Sequence, residues 1–86
     1  MSARLWQSGE AIRVVCDEYG RPLRFWWRGT RHEVAQICNR WRVHARWWQA
    51  SDGWREYIKL TTEDGLLCLL ACDLEHQVWE LARLYD

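Results

Sequence analysis

Eighty-six residues, 49% of them apolar and with a formal net charge of zero, make room for a single domain over 1–86 in which roughly 60–65% of the unfolded chain's surface can be buried. No apolar run approaches the ~20 residues of a membrane span. Residues 1–10, read as a flexible lead-in, lack the hydrophobic stretch of a signal peptide, so a cytoplasmic protein with no membrane partner is expected. The zero charge conceals two unequal halves: residues 1–50 carry nine Arg against four acids, and residues 51–86 three basic groups against eight acids. Either the first half offers a basic face to nucleic acid, or the halves pair their charges across one sheet.

The first apolar run is Ile12-Arg13-Val14-Val15-Cys16, closed by the turn-forming stretch Asp17-Glu18-Tyr19-Gly20-Arg21-Pro22. Leu23–Arg28 follows, and Gly29-Thr30 reads as a two-residue hairpin loop that would set Phe25 opposite Val34 and Trp26 opposite Glu33. Val34 and Ile37 are three apart and cannot share a face of a regular strand. A bulge near Ala35-Gln36 would let Val34, Ile37, Trp41 and Val43 all point inward. Helical spacing also fits 34–41 and 78–85, but β-branched and aromatic content beside hairpin signals favours strand for both. Gln49–Gly53 is the clearest loop. Arg55–Thr62, an Asp64-Gly65 turn of type I′ and Leu66–Cys72 make the next hairpin, in which Ile58 and Leu60 would meet Ala71 and Leu69 on one face. Val78–Tyr85 closes the series after Glu75-His76-Gln77. The expected fold is all-β: a five- or six-stranded antiparallel meander curled into a small, partly open barrel. Phe25, Trp27, Trp41, Leu60, Leu69 and Trp79 would be buried together.

Eight Trp are the strongest functional signal, several set against Arg, as in Phe25-Trp26-Trp27-Arg28, Arg40-Trp41-Arg42 and Arg46-Trp47-Trp48. Alternation along a strand sends neighbouring side chains to opposite faces, so one indole of each adjacent pair should face solvent or a partner. The candidate binding surface is therefore Arg24, Trp26, Arg28, Arg40, Arg42, Arg46 and Trp48, with Arg40 and Arg42 flanking an inward Trp41. Exposed Trp beside Arg suits protein hot spots and also the stacking of unpaired bases. Glu33 would partly neutralise this stripe.

Catalytic and metal chemistry find little support. Cys16, Cys38, Cys68 and Cys72 lack C-x-x-C spacing and read as small buried hydrophobes with reduced thiols. His32, His44 and His76 stand away from any Cys or acid at ligand spacing, and Asp64 is explained by its turn. No cofactor, no metal site and no catalytic residue is expected, and the chain reads as a non-enzyme.

Phe25-Trp26-Trp27-Arg28-Gly29, Arg40-Trp41-Arg42-Val43, Trp47-Trp48, Arg55-Glu56-Tyr57, Asp64-Gly65, Asp73-Leu74 and Leu84-Tyr85-Asp86 together resemble a small bacterial domain of unknown function. That domain occurs alone or as a C-terminal tail of ImuB-like Y-family DNA polymerase homologues, the non-catalytic adaptors of an error-prone translesion cassette. The resemblance spans roughly residues 23–86 and departs from the family pattern at Glu75-His76-Gln77, where a Gly-containing turn is expected. It implies an accessory module in translesion DNA synthesis whose partners are proteins, among them components of the polymerase cassette. A single-stranded or primer-template DNA-binding module is the alternative, and a self-associating homo-oligomeric β protein is the third reading.

Overall fold

A computed structural model describes residues 10–45 and 53–85. Six strands follow one another: β1 (Glu10–Cys16), β2 (Pro22–Trp27), β3 (Thr30–Ala45), β4 (Gly53–Thr62), β5 (Leu67–Asp73) and β6 (Val78–Tyr85). Every neighbouring pair is antiparallel, and β1 pairs with β6 through Glu10–Ile12, so the expected barrel is closed. Both segments that also fitted helical spacing are strands. The lead-in reading of residues 1–10 lies outside the described residues except for Glu10, which already belongs to β1.

Two hairpins take a register other than the expected one. The β2–β3 loop is Arg28-Gly29, not Gly29-Thr30: φ is 52° at Arg28 and 76° at Gly29, the pair of positive angles that a type I′ turn requires. Phe25 therefore faces His32 and Trp26 faces Arg31, a shift of two residues that leaves the inner and outer faces as expected. The β4–β5 turn differs by one residue, with larger consequences. The Gly65 amide donates to Thr62 O at 3.1 Å and the Thr62 amide to Leu66 O at 3.0 Å, and Gly65 has φ 93°. This three-residue loop with glycine in the left-handed region sets Ile58 opposite Leu70 and Leu60 opposite Cys68. One residue of slip exchanges the faces, so Leu69 and Ala71 are buried as expected but in a second cluster on the other face of the sheet.

β3 carries the expected irregularity between Val34 and Gln36 and a second one between Ile37 and Asn39. Each inserts an unpaired residue, Ala35 and then Cys38. The first bulge keeps Val34 and Ile37 on the core side, where both pack against it. The second reverses the alternation beyond it: Arg40 and Arg42 take the side of Ile58 and Glu56, while Trp41 pairs with Tyr57 on the outer side. Trp41 and Val43, expected inward, are exposed by 38% and 41%.

The core is built from Phe25, Ile58, Leu60, Cys68, Leu70 and Leu81, with Trp27 and Trp79 half-buried against it. A separate, smaller cluster on the outer face joins Leu69, Ala71 and Ala82 with Tyr57 and Tyr85. Of the six residues expected to be buried together, Leu69 is buried in this second cluster instead of the main one, and Trp41 is exposed.

Candidate functional site

The stripe expected as one surface is divided among three places. Arg24 and Trp26 do share the outer face of β1–β2–β3, where Trp26 lies between Arg13 on β1 and Arg31 on β3. The Arg13 guanidinium sits 4.4 Å from the indole centroid, and Glu33 holds Arg24 at 3.2 Å and Arg31 at 3.1 Å. Three guanidiniums thus surround one indole with one carboxylate among them. Arg13 and Arg31 were not among the sequence candidates, because placing them beside Trp26 depends on two registers, that of β1 with β2 for Arg13 and that set by the Arg28-Gly29 turn for Arg31.

Arg28 is not on this face. It belongs to the turn, donates to Glu10 Oε1 at 2.7 Å and lies over the Trp27 ring at 4.9 Å, while the Trp27 indole N–H reaches the same carboxylate at 3.0 Å. The hydrogen bond from Arg28 holds the Glu10 carboxyl below its ordinary value. The group latches the β2–β3 turn to the start of β1.

Arg40 and Arg42 converge on Glu56, which is 7% exposed. Arg40 donates to its two oxygens at 2.9 and 3.1 Å, and Arg42 Nε lies 3.6 Å away. Hydrogen bonding from Arg40 holds the Glu56 carboxyl below its ordinary value. Arg40 also reaches Gly20 O at 3.5 Å, which ties β3 to the β1–β2 turn. These are first-half arginines neutralised by a second-half acid, as the charge-pairing alternative expected, and the second bulge of β3 is what brings them there. Arg46 and Trp48 lie outside the described residues.

On the opposite side of β3 and β4, Trp41 stacks on Tyr57 with centroids 5.7 Å apart and planes at 18°. Exposed Val43 follows two residues on, and Leu69, Ala71 and Ala82 form a buried cluster beneath Tyr57 and Tyr85, the Tyr85 ring lying between Lys59 Nζ at 4.9 Å and the Arg83 guanidinium at 5.0 Å. At the far end of the β3–β4 hairpin, Trp54 is 52% exposed and tilts against His44 at 4.8 Å. Sequence reasoning missed Trp41 as a surface residue because no local signal marks the bulge at Cys38.

His32 and His76, expected to stand apart from acids, are both paired. His76 Nδ1 lies 3.0 Å from Asp73, whose hydrogen bond raises the imidazole pKa. His32 is buried beside the Phe25 ring at 5.3 Å, with Nδ1 3.0 Å from Asp64; Thr62 Oγ1 donates to the other Asp64 oxygen at 2.5 Å and accepts the Leu66 amide at 3.0 Å. The partners are 32 residues apart, so no spacing rule could find them. His32 Nε2 is buried and has no hydrogen-bond partner among the described residues. The arrangement buttresses the β4–β5 turn. Cys68 and Cys72 are buried as expected and Cys16 is half-buried, but Cys38, the extra residue of the second bulge, is exposed.

Neither a comparison with curated proteins nor one with solved structures finds a match. The sequence pattern of a family described as a domain of unknown function (DUF6504) matches residues 6–86, nearly the whole length, and the chain belongs to that family.

Proposed function

We propose that the chain is a non-catalytic cytoplasmic interaction module that binds a protein partner through the outer face of β3 and β4, centred on Trp41 with Tyr57 and Val43 beside it. The observation that carries this reading is an indole 38% exposed, stacked on a tyrosine and next to an exposed valine, outside a core that closes without it. Large rigid aromatics of this kind concentrate binding energy at protein interfaces. The sequence resemblance to the tail of ImuB-like adaptors supplies the setting, translesion DNA synthesis, with a component of the polymerase cassette as the partner.

The Arg13–Trp26–Arg31 face favours the second reading, single-stranded DNA, since Arg24 and Arg31 share the one carboxylate of Glu33 and Arg13 lies over the indole beside them. It is the weaker of the two, because Arg13 covers the indole that a base would stack upon. Titration of parent, Trp41→Ala and Trp26→Ala chains with purified cassette proteins and with an oligothymidylate at low and high salt separates the two. The expected result is that Trp41→Ala weakens protein binding tenfold or more while Trp26→Ala binds as the parent does. Tight oligothymidylate binding that falls steeply with salt and is lost in Trp26→Ala would reverse the choice.

A further inference from the structure

We propose that a cavity at the mouth of the barrel binds a guanine base. β5 ends at Asp73, opposite Arg55, whereas the β3–β4 hairpin runs on past it by two further pairs, His44 with Trp54 and Ala45 with Gly53. Arg42, His44 and Trp54 keep step with Arg40 and Glu56, so they stand on the side of this overhang that continues the barrel interior. The turn after β5 runs alongside: the Leu74 amide donates to Trp54 O at 3.0 Å, and Glu75 Oε1 lies 3.2 Å from where a Cβ on Gly53 would be. Arg42, His44, Gly53, Trp54, Leu74 and Glu75 line a cavity of about 530 Å³. That volume falls within the ~300–1,000 Å³ of small-ligand sites, for which barrel mouths are a recurrent place. The cavity lies on the other side of the sheet from Trp41 and goes beyond the protein-contact reading.

The order of the lining residues specifies the occupant. Arg42 stands at the barrel end, the His44–Trp54 pair two residues farther along β3, and Gly53 with Glu75 beside it one residue beyond that, roughly 10 Å from end to end. At the barrel end Arg40 takes both oxygens of Glu56, at 2.9 and 3.1 Å, and Arg42 reaches that carboxylate only through Nε at 3.6 Å. The terminal nitrogens of Arg42 are left to donate elsewhere. At the other end nothing among the described residues donates to the Glu75 carboxylate. Between the two ends the Trp54 ring, tilted against His44, offers an indole surface. A ring bound here stacks on the indole, accepts from a guanidinium at one edge and donates to a carboxylate at the other. Guanine has that pattern, since O6 and N7 accept while N1–H and the N2 amino group donate side by side. Adenine brings the N1 lone pair to the carboxylate instead, and the two repel.

Titration with guanosine, adenosine and inosine monophosphates, followed through indole N–H and backbone amide shifts, tests this, because the three share one sugar-phosphate and inosine lacks only the N2 amino group of guanosine. Guanosine monophosphate is expected to bind about tenfold or more tighter than the adenosine nucleotide, with the inosine nucleotide between them and the shifts centred on Gly53, Trp54, Leu74 and Glu75. Glu75→Gln, a change at an exposed turn, should weaken guanosine monophosphate about tenfold and leave the adenosine nucleotide unaffected. Trp54→Ala should weaken all three, while Trp41→Ala and Trp26→Ala bind as the parent does, so this site and the contact face stand or fall separately. A thymidylate oligomer with one central guanine identifies the source of the base: tighter binding than the free nucleotide marks a single strand, equal or weaker binding a mononucleotide, and either supports the site. Absence of binding by both the guanosine nucleotide and the oligomer at millimolar concentration would overturn the proposal. Equal affinity for the guanosine and adenosine nucleotides, an unchanged affinity in Glu75→Gln, or binding lost in Trp26→Ala and kept in Trp54→Ala would each overturn it as well.

Discussion

Gln77 has φ 59°, a left-handed conformation that a side chain ordinarily avoids, and its amide closes the β5–β6 turn on Asp73 O at 2.7 Å. This is the place where the family resemblance leads one to expect glycine. Gln77→Gly is expected to raise stability by about 0.5–1 kcal/mol, read as a higher urea midpoint, with part of the gain offset by the lost bond from Nε2 to Leu74 O. The cysteines separate in the same local way. Burial pushes the thiols of Cys68 and Cys72 up to about 11, whereas Cys38 stands exposed. Alkylation near pH 8, followed by mass spectrometry, should modify Cys38 first and Cys68 and Cys72 only on unfolding. Rapid labelling of Cys68 in the folded chain would contradict its place in the core.

At the scale of the element, β3 decides what the surface is. Alternation assigned the faces of β2 correctly even though the turn was misplaced, because a shift of two residues conserves parity; Phe25 is inside and Trp26 outside either way. A shift of one residue does not, and so Leu69 and Ala71 exchanged faces with Leu70 and Cys68. Val34 and Ile37 announce their bulge, being apolar residues three apart that both belong inside. Nothing comparable announces the second, since the alternative it avoids, Trp41 and Val43 inward, looks better by hydrophobicity. What selects it is long-range: the buried Glu56 needs Arg40 beside it. Deleting Cys38 should therefore be far more damaging than Cys38→Ala, because deletion sends Arg40 and Arg42 outward and leaves Glu56 buried without a partner. The deletion is expected to cost about 3–5 kcal/mol, against about 0.5 kcal/mol or less for the alanine, compared by thermal unfolding.

For the whole molecule, the fold depresses the pKa of four carboxylates, one of which, Glu56, joins the two oppositely charged halves through Arg40. Glu56 is held down by Arg40, Glu10 by Arg28, Asp17 by the Arg21 amide and Asp64 by Thr62. A depressed folded pKa means that this stability is complete above the ordinary carboxylate range and is lost as pH falls through the folded values. Urea midpoints should accordingly be level from about pH 6 upward with respect to these groups and decline below about pH 4.5. Glu56→Gln should flatten part of that decline and lower stability at neutral pH by about 1–3 kcal/mol. A decline of unchanged depth would remove Glu56 from the account.

The central claim is that the barrel closes its core without Trp41 and leaves that indole on an outer contact face. Equilibrium urea unfolding of Trp41→Lys tests it most directly, because a long charged side chain is tolerated on an outer sheet face and not in a core. The structure leads us to expect a folded chain with a single cooperative transition, weakened by about 1–2 kcal/mol through the lost stack on Tyr57. A variant that is unfolded without urea, or weakened by about 4 kcal/mol or more as a charge buried in the core would be, would contradict it.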